Sequence, residues 1–320
     1  MTSISLSELT SQLQVFFREE EYSAALKLAK ENRGLYPEHR AILDYWTITM
    51  TARLGDSEGA LQAFSDALGQ GSWFSELLLR RSPSLRALLD DPQFESLILR
   101  NQEIAERDQE SRFPFFTLRP EGKCRSSEPP CPLLIGLHAN GGTVQTSIDF
   151  WKPAAALGWL VAAPQSSQAL MKGAHVWDDR ETAEQEIQHD FFVLLEHYSV
   201  NPWQTVLAGH ALGGEMAIWL AVKGSLDITK FLAIGAVGPW MDDLKNWEAL
   251  LGENQRQGLR GYLIVGELDE TIAQEKTADL VDIFNNAGVE TELEMVPSAE
   301  NDYVPDYDPA IRRGLNFLAG

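Results

Sequence analysis

Apolar positions recur at helical spacing from residue 5 to about residue 70, and again between 73 and 109, whereas beyond residue 113 they gather into short continuous runs. A spacing near 3.6 predicts helices that bury one stripe. Short apolar runs bounded by turn residues predict strands covered on both faces. The strand candidates are 132–137, 159–163, 205–208, 231–237, 262–265 and 291–296, and helical patterns at 181–198, 213–222, 272–286 and 309–317 alternate with them. This alternation predicts the α/β class, a mostly parallel sheet with helices on both sides. The change of pattern divides the chain into an all-helical region, 1–108, and a sheet-bearing region, 109–320.

The helical region contains an echo of itself. Glu20-Glu21-Tyr22-Ser23-Ala24-Ala25-Leu26 aligns with Gly55-Asp56-Ser57-Glu58-Gly59-Ala60-Leu61 at an offset of 35. With Leu54-Gly55 and Ala60-x-x-Ala63-Phe64, it resembles a tetratricopeptide-like helix pair, whose repeat is about 34 residues. Residues 73–98, with Ser82-Pro83-Ser84-Leu85 and Asp91-Pro92-Gln93-Phe94, resemble a degenerate half-repeat that closes such an array. Barely two repeats are complete, so the region is expected to be a packed cap, with binding of a protein partner as its alternative role.

The most informative motif follows the strand candidate 205–208: Gly209-His210-Ala211-Leu212-Gly213-Gly214. It has the form Gly-x-Ser-x-Gly with alanine where serine belongs. Glycines flank such a turn because it is sharp and holds the residue between them in a strained conformation, so that its side chain projects into the pocket. Alanine fits the turn but carries no nucleophile. Residues 113–320 accordingly resemble the α/β-hydrolase fold, nearest to its esterase, dienelactone-hydrolase and acyl-peptidase-like members.

The resemblance implies roles for several other residues. Leu137-His138-Ala139-Asn140-Gly141-Gly142 corresponds to the oxyanion loop, with Ala139 in place of the usual first glycine, and the N–H of Leu212 would be the second donor. Asp269 stands at the acid position, with Glu267 and Glu270 as substitutes. Pro297-Ser298-Ala299-Glu300-Asn301-Asp302-Tyr303-Val304-Pro305-Asp306-Tyr307 corresponds to a loop that in the family reads approximately Pro-Gly-x-Gly-His-x-Tyr-Pro-x-Asp-Phe. Asn301 occupies the histidine position and both glycines are replaced. All six histidines, at 39, 138, 175, 189, 197 and 210, lie at or before the elbow, while the family keeps its base after the acid. Trp177 and Asp178 are expected beside the pocket, and Trp151, Trp240 and Met241 are candidates for apolar walls.

The implied function is that of a non-hydrolytic homologue, which binds a carbonyl-containing small molecule or performs noncovalent lyase, isomerase or cyclase chemistry. One alternative is an inactivated serine-to-alanine form of an esterase or acyl-peptidase. The other is a scaffold acting through its helical region. No cofactor and no metal site is expected. A net charge of −21 makes nucleic acid and anionic membranes poor partners. No apolar run approaches the roughly 20 residues needed to span a bilayer, and residues 1–16 lack a basic start followed by an apolar stretch, so the expected location is cytoplasmic. There Cys124 and Cys131 would stay reduced.

Overall fold

The computed structural model describes residues 4, 6–109, 115–254, 256–269, 274–297 and 307–320. The chain forms two compact units, one made of Met1–Arg112 with Ala169–Ala174 and the other of Phe113–Gln168 with His175–Gly320.

The first unit contains helices α1 (Leu6–Arg18), α2 (Tyr22–Asn32), α3 (Arg40–Arg53), α4 (Ser57–Gly69), α5 (Glu76–Arg81) and α6 (Pro92–Gln109). The α4 start follows from Asp56, whose carboxylate accepts the N–H of Gly59 at 2.8 Å, a side-chain cap on an otherwise orphaned donor. One apolar cluster gathers Phe64, Phe74, Leu85 and Phe94 together with Met171 and Ala174, which come from much later in the chain. The backbone agrees: Phe74 bridges Met171, and the N–H of Ser75 donates to the carbonyl of Leu170 at 2.6 Å.

The second unit is a seven-stranded sheet. The elements after α6 are β1 (Phe115–Leu118), β2 (Cys131–Leu137), α7 (Val144–Ala156), β3 (Leu160–Pro164), β4 (Ala169–Met171), β5 (Ala174–His175), α8 (Arg180–His197), β6 (Val200–His210), α9 (Leu212–Lys223), β7 (Lys230–Ile234), α10 (Pro239–Asp242), α11 (Lys245–Glu253), β8 (Arg260–Gly266), α12 (Gln274–Asn286), β9 (Glu290–Val296) and α13 (Tyr307–Ala319), of which β4 and Ala174 of β5 belong to the first unit. β4 and β5 form a separate hairpin. The strand order is β1-β3-β2-β6-β7-β8-β9, parallel except for β1. Leu134 and Gly136 of β2 and Val206, Ala208 and His210 of β6 face α7 and α13, while Ile135 and Gly209 face the opposite layer. This is the period-2 alternation of a sheet covered on both sides, and the expected α/β class holds.

Helix α7 is absent from the expected elements, because Pro153 lies inside it and its apolar stripe is short. β7 ends at Ile234 rather than 237, where Gly235 turns the chain at φ 55° and donates to Ile264 of β8. Among the described residues no helix is long and apolar enough to cross a membrane.

The expectation of two reduced thiols is overturned: Cys124 and Cys131 form a disulfide. Both are buried, and Ser199 sets their approach. Its N–H donates to the Cys124 carbonyl at 2.8 Å and its carbonyl accepts the Cys131 N–H at 3.1 Å. The reduced state is the expectation for a cytosolic setting, whereas disulfides persist in oxidising compartments. Closing so short a loop contributes about 2.5 kcal/mol in the chain-entropy treatment. Replacing both cysteines by alanine is therefore expected to lower unfolding stability in urea by about 2 kcal/mol, and thiol titration of the unreduced, unfolded chain is expected to find none.

Candidate functional site

The topology decides where a site belongs. From β2 the chain moves to β3 on one side and then crosses to β6 on the other, so β2 and β6 are neighbours whose outgoing connections diverge. A crevice opens at such a reversal, outside the carboxyl ends of the strands. Registers Leu137↔Gly209, His210↔Ile234 and Gly266↔Val296 bring the ends of β2, β6, β7, β8 and β9 to one edge. That edge carries the 138–142 loop, Ala211, the 235–241 loop and Asp269. Asn301, with Glu270, Glu300 and Asp302, lies outside the described residues.

Ala211 sits between β6 and α9 at φ 52° and ψ −122°, one of only four non-glycine residues at positive φ among those described. The reason is crowding. A Cβ at Gly209 would lie 2.0 Å from the Gly213 carbonyl oxygen, and one at Gly213 would lie 2.4 Å from the His138 carbonyl oxygen. Strand, helix and loop meet backbone to backbone, and the residue at the apex absorbs the strain, on the order of 1–3 kcal/mol. The Ala211 carbonyl accepts from Gly214 (2.9 Å), Glu215 (3.2 Å) and Val237 (3.3 Å). The N–H of Leu212 opens the helix and has no intrahelical acceptor, so it adds a donor at the positive end of the helix dipole.

The 138–142 loop is built around His138. Its ring stacks on Trp177 with centroids 4.6 Å apart, its Nδ1 lies 2.9 Å from the Ala139 carbonyl, and its Nε2 accepts from the N–H of Ser166 at 3.4 Å. Trp177 Nε1 donates to the His138 carbonyl at 3.0 Å. Gly141 and Gly142 spend their N–H groups on His175 and Ala139. Among the described residues, those of Ala139 and Asn140 have no backbone acceptor. Burial holds the His138 imidazole neutral, its pKa pushed down to about 3.

The other expected residues are placed as follows. Trp177 is buried with its indole N–H spent on the His138 carbonyl, so it supports the loop; Asp178 is exposed, and its neighbour Asp179 caps α8. Asp269 is buried three residues past β8, with its N–H on the Gly266 carbonyl at 3.3 Å. Trp151 is fully buried and fills the space that a side chain at Gly136 would need. His210 stacks on Phe150 of α7 at 4.6 Å, and His189 and His197 lie exposed on α8.

Sequence reasoning passed over Glu215. It is fully buried one turn into α9, accepts the N–H groups of Trp240 and Met241 at 2.9 Å each, and takes a guanidinium hydrogen bond from Arg180. Burial raises its pKa; the α10 amides and Arg180 oppose that. A lone acid in Leu212-Gly213-Gly214-Glu215-Met216-Ala217-Ile218-Trp219 was the signal that could have found it.

No family model matches this sequence, and no curated protein matches it. Solved structures do. An uncharacterised protein from Bacillus cereus matches over 98% of this chain and 99% of its own, with a TM-score of 0.53 at 20% identity. Esterase PE8 matches over 64% of this chain and 98% of its own, with a TM-score of 0.52 at 15% identity. FphF, a fluorophosphonate-binding serine hydrolase from Staphylococcus aureus, matches over 64% and 92%, with a TM-score of 0.51 at 17% identity. The fold is that of the α/β-hydrolases. The Bacillus cereus match, at 98% of this chain, extends beyond the sheet-bearing residues into the helical ones.

Two measurements check this account. Ala211→Gly is expected to stabilise the protein by about 1 kcal/mol in urea unfolding, because glycine occupies positive φ without strain, whereas Gly213→Ala is expected to cost about 3 kcal/mol or more. The second concerns pH. His138 has a folded pKa below its unfolded value, so stability falls as pH drops from about 6.5 toward 3. Asp190 of α8 is the opposite case: buried beside Phe115, Ile135 and Leu194, and repelled by Glu186, its carboxyl is pushed up to about 7. Its folded pKa exceeds the unfolded one, so its contribution is fully present below about pH 4 and is lost as pH rises to about 7. Asp190→Asn is therefore expected to gain stability relative to the parent as pH rises from 4 to 7, by roughly 1–3 kcal/mol at the upper end. A difference independent of pH would contradict this.

Proposed function

We propose that this α/β-hydrolase-fold protein does not hydrolyse esters, and that its elbow site binds a small molecule through a carbonyl or carboxylate group. One observation carries the reading: a methyl group stands at the strained apex of a turn whose surrounding amide donors are kept. The N–H groups of Leu212, Ala139 and Asn140 are suited to a developing or full negative charge on oxygen. Acyl transfer also needs a nucleophile activated by a base, and the sequence supplies neither in place. Alanine replaces serine at 211, asparagine replaces histidine at 301, and asparagine cannot accept a proton at neutral pH. What such a site can still do is hold a carbonyl, an enolate or a carboxylate, and support noncovalent proton transfer by Asp269.

The replaced loop favours natural loss over a deliberate serine-to-alanine change. A change made only to remove the nucleophile would leave the histidine and its two glycines in place, and all three are altered here.

The test is reversion. Ala211→Ser alone is expected to leave p-nitrophenyl acetate hydrolysis within a few-fold of the parent, because no imidazole follows the acid. Ala211→Ser combined with Asn301→His is expected to raise it by at least about a hundredfold, the usual scale of a positioned general base. Strong recovery from the serine alone would mean that a base is already present and that the reading is wrong.

A further inference from the structure

We propose that Glu215 is a positioning residue that holds Trp240 as a wall of the elbow site, and thereby fixes how the apolar end of a bound molecule lies; this rests on reading that site as a carbonyl or carboxylate pocket. The elbow helix does not need a charge for its own sake. Every residue from Leu212 to Val222 is buried, and an apolar side chain at 215 would cover that helix without the cost of burying a carboxylate. Glu215 instead reaches across to the chain that leaves β7. One carboxylate oxygen accepts the N–H groups of Trp240 and Met241, the start of α10, and the other takes Arg180.

Arg180 links the two ends of this arrangement, for its guanidinium also lies over the Trp240 ring, 5.1 Å from the centroid. Trp247 meets the same ring edge-on at 5.0 Å and donates its indole N–H to the Trp240 carbonyl at 3.0 Å. Gly238 stands at φ 147°, and a Cβ there would come within 2.4 Å of the Glu215 carboxylate, so the loop approaches this acid as closely as a backbone can. At its other end the loop is tied to the apex itself, Val237 N–H to Ala211 carbonyl. The indole is thus referenced at both ends to the elbow, yet it stays half-buried, with surface left for contact.

The test uses the full chain labelled with 5-fluorotryptophan, in which Trp240→Phe identifies one ¹⁹F signal among nine tryptophans. Glu215→Gln is expected to shift the Trp240 signal and leave those of distant tryptophans in place. Gly238→Ala, which presses on the same carboxylate from the other side, is expected to shift it as well, so the test survives if one variant folds poorly. Octanoate is expected to move the Trp240 signal in the parent chain, and Glu215→Gln to weaken its binding roughly tenfold while acetate, too short to reach the wall, is affected far less. An unmoved Trp240 signal in both variants overturns the clamp. Octanoate that binds by calorimetry without moving Trp240 overturns the wall but leaves the pocket reading intact. Octanoate that does not bind at all counts against the pocket reading, and the two variants still decide the clamp.

Discussion

The structure depends on a backbone collision avoided. β6 must hand over to α9 within one residue, while the carbonyl of His138 presses on the same turn from β2, and there is no room for a side chain at Gly209 or Gly213. All the conformational cost falls on position 211, which takes a positive φ that an L-residue avoids. From this follow the alignment of the Leu212 amide, the seating of the 138–142 loop, and the three bonds on the Ala211 carbonyl that tie in the chain after β7. A side chain at such an apex projects whatever its chemistry, which is why the turn persists with a methyl group on it.

The fold was legible in the sequence because the core strands are short apolar runs with no competing reading. The site was legible where a residue type has one structural use: glycines at 209 and 213, a small residue between them, a loop of glycines after β2. It was less legible where a side chain's role depends on what folds against it. Trp177 and Asp178 were expected together beside the pocket, yet one is spent on holding His138 and the other points into solvent. The cysteines were misread because the pairing depends on Ser199, distant in sequence, which brings the two ends together. α7 was missed because a proline inside the pattern argues against a helix when only local rules are applied.

Two buried titratable groups near the elbow show opposite ways of living without water. His138 loses its charge and serves as a neutral, stacked hydrogen-bonding plate. Glu215 is surrounded by donors, two amides at a helix start and a guanidinium, so that a carboxylate is matched on both oxygens. Neither arrangement tolerates a one-atom change easily, since deleting a partner leaves a buried polar group unmatched.

The membership of residues 169–174 in the helical unit has a practical consequence. Met171 and Ala174 belong to that unit's apolar cluster although more than fifty residues of sheet-forming sequence separate them from α6. No single cut of the gene can therefore release either half intact: a fragment that stops after α6 lacks part of its own interior, and the complementary fragment carries an apolar hairpin with nothing to enclose it. Dissection of this chain calls for excising and replacing that hairpin, not for truncation.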